Sequence, residues 1–474
     1  MSVLSNALSW FRSILAWVFP DSVSGTQYND MDDAIKDWLD LYYDNPKWAK
    51  EVHNNTLNLP AAISSEFARL IMVAFEVTIT GSKRADYLQQ QFKSLSKKLR
   101  VNLEECCALG GILLKPYVSQ GRILTDCITQ ERFIPIQYTD DEITAVACLS
   151  KVVKGKYHYF RIEKQVFDSA SHTHTVTSKY YVSTDPSSIG KEITPEEYPD
   201  KIVQDYIIRN IDRPLFAFFR IPLANKIEKD SPLGVSVFSS AIKKIEQADR
   251  QWDRFLWEFE GGELAVDADE RSLRPKRQQG QQEGDDKDRI VHMEMPKTRE
   301  RLFRRFRVQT SSEEPFYHVF SPTLRDSSYG AGLDKILKQI EFDVGLAYGT
   351  ISDPQNVDKT AEEVKSSKHR SFAVVDNMQK DLQSVLEDYI YALDQYASAC
   401  NLAPAGKYDV QWNWGDGVLE DTEKETQIRL QEVNSGIVKK EEYLMWRYGL
   451  TEDKAKEKVP QSTGFSDYFP GGGS

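Results

Sequence analysis

The chain has 474 residues, 40% of them hydrophobic, which is enough for a sizeable core and for more than one domain. Its net charge of −12 at pH 7 excludes a surface that is basic throughout, the usual mark of a static duplex binder. The five cysteines fit no zinc spacing and read as reduced, buried thiols, and no run reaches the ~18–20 apolar residues of a membrane span.

Residues Met1 to Phe19 lack a charged leading region and a small-residue cleavage site, so they do not read as a signal peptide. Leu4, Leu8, Phe11, Leu15 and Val18 recur at three-to-four spacing and predict an amphipathic helix. Arg12 is its only basic residue, so docking on its own chain or on a neighbouring copy is expected before a membrane surface. An arm follows, with a helix from Met31 to Tyr43 and Asn45-Pro46 as its breaker. Ser64 to Val73 and Arg84 to Arg100 read as helices, the second continuing toward Leu109 until Gly110-Gly111 ends it.

The texture then changes. Arg132 to Ile136, Glu142 to Val153, Tyr157 to Ile162 and Val176 to Val182 are rich in β-branched and aromatic residues and predict an antiparallel meander. Leu215 to Ile221 reads as a strand buried on both faces.

A long helix is expected from Ser231-Pro232-Leu233 to Glu260, with Ser231 as N-cap and the proline in its first turn. Its apolar stripe includes Leu233, Val237, Ile245, Trp252 and Phe255. Such a helix needs a partner along its length, and the segment 333–348 offers Leu337, Ile340 and Val344. The insert between them carries strand candidates at Glu263–Val266, Arg289–Met293 and Phe316–Phe320, and a polar run from Gln278 to Asp288. It also carries the densest basic cluster, including Arg299, Arg301, Arg304, Arg305 and Arg307, interleaved with Phe303 and Phe306. The cluster reads as a docking surface for an acidic partner or passing phosphates, or as a salt-bridged solvated face.

Next comes a polar loop, Ser352, Asp353, Pro354, Gln355, Asn356, Val357, Asp358 and Lys359. Thr360-Ala361-Glu362-Glu363 fits a capping box and opens a helix running to Ala399. Tyr408 to Trp414 alternates as a strand, expected to return to the earlier sheet. Helices over Thr422–Val433 and Lys440–Tyr448 close the chain.

The sequence offers no nucleophile elbow and no phosphate-binding Walker loop. His172 and His174 share a strand face but have no third ligand in sight, so no metal is expected. No catalytic residue and no cofactor is assigned. A soluble, hydrolase-like enzyme remains the alternative, with a β-rich active-site domain over 112–222 and a pocket lined by His158, His172 or His174.

In their order, several signatures resemble the portal proteins of tailed phages that infect Gram-positive bacteria. These are Ser231-Pro232-Leu233-Gly234, Trp257-Glu258-Phe259-Glu260-Gly261-Gly262, Thr360-Ala361-Glu362-Glu363-Val364 and the stretch from Asn434 to Tyr443. The resemblance covers roughly residues 30 to 460 and implies an α+β, mostly helical fold. It implies an N-terminal helical arm (1–60), a wing of helices and antiparallel strands (61–230), a first stem helix (231–262) and a small α/β clip (263–331). A second stem helix (332–350), a tunnel loop (351–360), a long wing helix with a returning strand (361–418) and a short helical crown with tail (419–474) complete it. The family implies a dodecameric ring at one capsid vertex of the virion, assembled in the host cytoplasm. The ring is a channel for double-stranded DNA in packaging and ejection, and its partners are the terminase large subunit, head–tail adaptors, the major capsid protein and the scaffolding protein. By position, residues 352–359 would face the DNA and the five clip arginines would dock partners.

Overall fold

Gly110 marks the point where the helical first part of the chain gives way to sheet. In the computed structural model a helix runs from Lys83 to Leu109, and Gly110 closes it at φ +93°, a conformation glycine adopts without strain. The structure describes residues 7–20, 29–139, 142–199, 205–263, 265–269, 303–306, 317–353, 361–415, 429–433 and 435–448. The chain is a mixed α and β protein. It divides into one unit of residues 1–72 and 76–412 and a second of 73–75 and 413–474.

In the first unit the helices are α1 (Ala7–Val18), α2 (Asn29–Tyr42), α3 (Leu59–Ile71), α4 (Lys83–Leu109), α5 (Ile242–Gly261), α6 (Asp326–Val344) and α7 (Ala361–Ala399). Helix α4 buries Leu88, Phe92, Leu95, Leu99 and Leu103, a three-to-four repeat that makes one face apolar. Helix α7 buries Met378, Leu382, Leu386, Tyr389 and Leu393 by the same rule. Gln379 on α7 donates to the Ile71 carbonyl at the end of α3. Its capping-box threonine lies outside the described residues.

The expected meander forms as a six-stranded antiparallel sheet. It contains β4 (Phe133–Tyr138), β5 (Ile143–Lys154), β6 (Tyr157–Asp168), β7 (Thr173–Ser183), β8 (Lys191–Ile193) and β9 (Tyr206–Arg209). A second sheet of three strands has the order β10 (Ala217–Arg220), β2 (Gly111–Ser119), β3 (Arg122–Thr129). The strand expected at 215–221 forms as β10, at the edge of this sheet and paired with β2.

Helix α1 docks on its own chain. Phe11 and Leu15 are buried, Trp10 meets Phe160 edge-on at 5.7 Å, and Trp17 lies 5.8 Å from Tyr181. Phe160 and Tyr181 are cross-strand partners on β6 and β7, so α1 covers that face of the meander. Arg12 donates twice to the Asp32 carboxylate, fixing α1 to α2.

Three expectations are corrected. The strand over 408–414 does not return to the meander: β14 (Asp409–Asn413) pairs with β1 (Glu76–Thr80) in a separate two-stranded sheet. The thiols are not all buried, since Cys127 is half-buried and Cys400 exposed, whereas Cys106, Cys107 and Cys148 are buried.

The third correction concerns the long helix, which starts at Ile242 after a single 3-10 turn at Ser239–Ala241, not at Pro232. Residues 231–238 form a buried irregular strap instead. The Gly234 N–H donates to Gln130 Oε1, Gln130 Nε2 donates back to the Gly234 carbonyl, and the Val237 N–H donates to the Cys107 carbonyl. A Cβ on Gly234 would meet the Gly110 carbonyl oxygen at 1.9 Å. Tertiary hydrogen bonds therefore take the amides that a helix would have used. Ser231 bonds Leu233 N–H locally and caps no helix.

In the second unit, the Phe75 and Trp414 rings meet at 4.5 Å, Gly415 takes φ +61°, and α8 (Lys440–Tyr448) is the last described helix.

Candidate functional site

Helices α5 and α6 form an antiparallel hairpin. Lys244 pairs with Asp343 near one end, Gln251 Nε2 donates to the Tyr329 carbonyl midway, and Arg325 makes two charged bonds to Glu258 at the other end. At 20 residues, α5 spans about 30 Å, shorter than a helix from Pro232 would be. Helix α6 begins at Asp326, earlier than the stem helix expected from residue 332.

Burial changes along the hairpin. At the end holding Lys244, Ile245, Ala248, Ile340 and Val344 are buried. Leu233 and Val237 are buried too, but in the strap and not on the helix. Toward the Arg325 end, Trp252 and Phe255 are half-buried and stack on each other at 5.4 Å, and Leu337 is half-buried. Trp257 is 67% exposed and Phe259 40%. Phe342 and Tyr348, near the buried end, are also exposed. The exposed aromatics thus fall at the two ends of the hairpin, Trp257 and Phe259 at one and Phe342 and Tyr348 at the other.

The buried end is tied down on several sides. Trp48 Nε1 and the Leu57 N–H both donate to the Asp249 carboxylate on α5. On α7, Arg370 stacks on the Phe342 ring and donates to the Phe342 carbonyl. The fully buried Glu341 carboxylate accepts from the backbone N–H of Gly349, Ile351 and Ser352 and from the Ser352 hydroxyl. An anion that satisfies three amides of one short loop fixes that loop's path. It thereby fixes where the polar loop leaves α6.

Of the polar-loop residues, Ser352 is buried in this clamp, and Asp353 is exposed with its N–H donating to Asp334. Pro354, Gln355, Asn356, Val357, Asp358 and Lys359 lie outside the described residues.

Between α5 and α6 the chain forms a three-stranded sheet in the order β12 (Phe303–Phe306), β11 (Ala265–Asp269), β13 (Tyr317–Phe320). β11 runs parallel to β12 and antiparallel to β13. Arg304 and Arg305 are adjacent on β12, in register with Asp267 and Ala268 on β11. Arg299, Arg301 and Arg307, and the strand expected at 289–293, lie outside the described residues.

A second polar assembly escaped the sequence reading. Lys115 on β2 and Glu163 on β6 are both buried, with Nζ 2.9 Å from Oε1. Asp126 lies 3.3 Å from Lys115 and 3.5 Å from Arg161, and Arg161 lies 3.4 Å from Glu163. Gln165 donates to Glu163 and contacts His174 Nε2 at 3.1 Å. Burial alone would raise the Glu163 pKa, but Lys115 and Arg161 outweigh it and hold the carboxyl at about 2. Burial pushes His174 down to about 4. Two cations and two carboxylates balance, so the cluster acts as a polar rivet between the two sheets. No linear pattern announces it, because its members lie on β2, β3, β6 and β7.

The histidines do not converge. His158 pairs with Ser183 at one end of the β6–β7 ladder, and His174 pairs with Phe167 toward the other. His172 sits at φ +51° in the turn before β7, bonded to the Ile211 carbonyl. Among the described residues, no group of three His, Cys, Asp or Glu could hold a metal ion. No described helix is long and apolar enough to cross a membrane.

The sequence matches no protein-family model, and no curated protein matches it.

Proposed function

We propose that the chain is one subunit of a portal-type ring through which double-stranded DNA passes. The observation that carries this reading is the α5–α6 hairpin. It has a buried end, exposed aromatics at Trp257 and Phe259 toward the other end, a small sheet between its two helices in the chain, and the long helix α7 after it. Neighbouring copies of the same hairpin would cover Trp257 and Phe259, as a heterologous interface that closes into a ring requires.

In this reading α5 and α6 are the stem, the β11–β13 sheet the clip, and the polar loop after Ser352 the part nearest DNA. The clip arginines contact acidic surfaces of a terminase large subunit and, later, a head–tail adaptor. Residues outside the stem contact major capsid and scaffolding proteins at one vertex of the virion. The chain itself carries out no catalysis. A polar loop whose only basic residue is Lys359 suits a moving polyanion, because deep electrostatic traps would stall it.

The experiment is substitution of the uncovered aromatics. Trp257→Ser with Phe259→Ser, both at exposed positions, should leave the subunit folded by circular dichroism and abolish ring-shaped particles in negative stain. Rings that persist unchanged in this double variant would remove the hairpin from the interface and the reading with it.

A further inference from the structure

We propose that an acidic row on α2 and a basic row on α4 join neighbouring copies of this chain, as an interface additional to the α5–α6 hairpin and resting, like it, on the ring reading. Asp33, Asp37 and Asp40 follow one another on α2 at steps of four and three residues. Lys93, Lys97 and Arg100 follow one another on α4 at the same steps. Such steps return to one side of a helix, so each set forms a row about 10 Å long.

Both rows are open to a partner. Lys93, Lys97 and Arg100 are exposed, and no Asp or Glu occurs from Tyr87 to Leu103, in a chain with 72 acidic residues against 60 Lys and Arg. Glu104 stands one turn beyond Arg100 and ends the basic row. On α2, Asp33 is exposed, Asp37 and Asp40 are half-buried, and Lys36 is the one basic residue. Among the described residues, the one ion pair made by either row is Asp37 with Lys47, whose side chain is 75% exposed. A pair so open to water holds its partners weakly.

Within one chain the rows do not face each other. Met31, Ile35 and Trp38 are buried on one side of α2, and at about 100° per residue the three aspartates fall on the side opposite. Tyr42, one turn beyond Trp38 on the buried side, donates to Glu104 on α4 at 3.0 Å. The chain's own α4 therefore lies behind α2, away from its aspartates. A row of cations at the matching spacing is offered by α4 of another copy.

A polyanion could occupy the basic row but would leave the acidic row unmatched, whereas a second copy satisfies both. Two different surfaces pairing between copies make a head-to-tail contact, which closes into a ring when the rotation allows. Opposed charges of this kind set register and reject wrong alignments.

The test reads assembly mass by sedimentation on the whole chain, with circular dichroism and melting temperature recorded on the same samples. One variant carries Lys93→Glu, Lys97→Glu and Arg100→Glu, all at exposed positions. A second carries Asp33→Lys, Asp37→Lys and Asp40→Lys. Each alone should raise the concentration needed for half-assembly at least about tenfold, because like charges then face each other. An equimolar mixture of the two should assemble again, since each offers the row that the other lacks. A chain with all six changes should assemble alone.

Full assembly of the α4 variant overturns the proposal, as does failure of the two folded variants to assemble when mixed. If the α2 variant loses its fold, the α4 variant alone decides. A parent that stays monomeric at every concentration overturns the proposal together with the ring reading. The variant with Trp257→Ser and Phe259→Ser separates the two claims. If it alone loses assembly, the hairpin stands and the charged rows fall. If only the charge-reversed chains lose it, the rows stand and the hairpin falls.

Discussion

The Ser352 hydroxyl and the Glu341 carboxylate meet at 2.9 Å in the protein interior. Glu341 lies one turn from the end of α6, and Ser352 lies in the short segment that follows that helix. The single carboxylate also holds the amides of Gly349, Ile351 and Ser352. It converts the end of a helix into a fixed exit for the chain.

Glu341→Ala should therefore free residues 349–353. Charged hydrogen bonds contribute about 1.5–3 kcal/mol each, and amides left unpaired in the interior add to the loss, so a stability loss of about 3 kcal/mol or more is expected. Amide exchange at 349–352 should accelerate far more than exchange in α4. Glu341→Gln keeps one accepting oxygen and should fall between the two. Unchanged exchange in the loop would show that the clamp does not hold it.

Lys115→Met strands Glu163 and Asp126 with Arg161 as their remaining cation. Removing one partner of a buried pair costs about 3–5 kcal/mol. Adding Glu163→Leu should recover part of the loss, because the double change no longer buries an uncompensated carboxylate at that position. Chemical denaturation of the two single variants and the double variant measures this directly. A double variant as unstable as the sum of the singles would deny the coupling between the two sheets.

His174 and Glu163 give the first unit a defined pH response. The folded pKa of His174 is depressed to about 4 from 6.5. Above 6.5 both states are neutral and the residue has no effect. As pH falls from 6.5 to about 4 only the unfolded chain takes up the proton, so stability drops by an amount on the order of 3 kcal/mol. Glu163, depressed to about 2 from 4.5, stabilises above 4.5, and its contribution is lost as pH falls toward 2. His174→Gln should flatten the stability curve between pH 6.5 and 4 while leaving the lower limb in place. A curve of unchanged slope would place the titration elsewhere.

The approach of Gly110 to Gly234 leaves no room for a side chain. A Cβ on Gly110 would lie 2.5 Å from the Gly234 carbonyl oxygen, and the φ of +93° adds strain of its own. Gly110→Ala should lower the melting temperature strongly, whereas Gly121→Ala, also strained at φ +73° but with open space around it, should cost less. Equal effects at the two positions would contradict the packing of the strap on the end of α4.

The contrast between these sites explains what the sequence disclosed. Helices α2, α4 and α7 and strands β5 to β7 were legible because each buries one face, and the period of that face is written in consecutive residues. The strap at 231–238 was misread because proline and serine at a helix start describe a local preference. Gln130 and Cys107, more than a hundred residues away, take the same backbone groups. The strand β1 was missed and the partner of β14 misjudged, since pairing across more than three hundred residues leaves no local mark. The Lys115–Glu163 rivet was invisible for the same reason: a buried lysine in a strand looks like any exposed one until the topology supplies its partner. Within the candidate site, the two facing helices and the intervening strands were foreseen. The Glu341 clamp was not, because a lone glutamate on a helix carries no pattern.

In the ring we propose, the α5–α6 hairpin is surface shared between copies of this chain. Sedimentation equilibrium of the purified 474-residue chain over a wide concentration range is the decisive measurement. A portal-type ring gives one closed species of about twelve chains, its mass independent of concentration as ring closure requires. A monomer or dimer at every concentration, with the Trp257 fluorescence environment unchanged throughout, would contradict it.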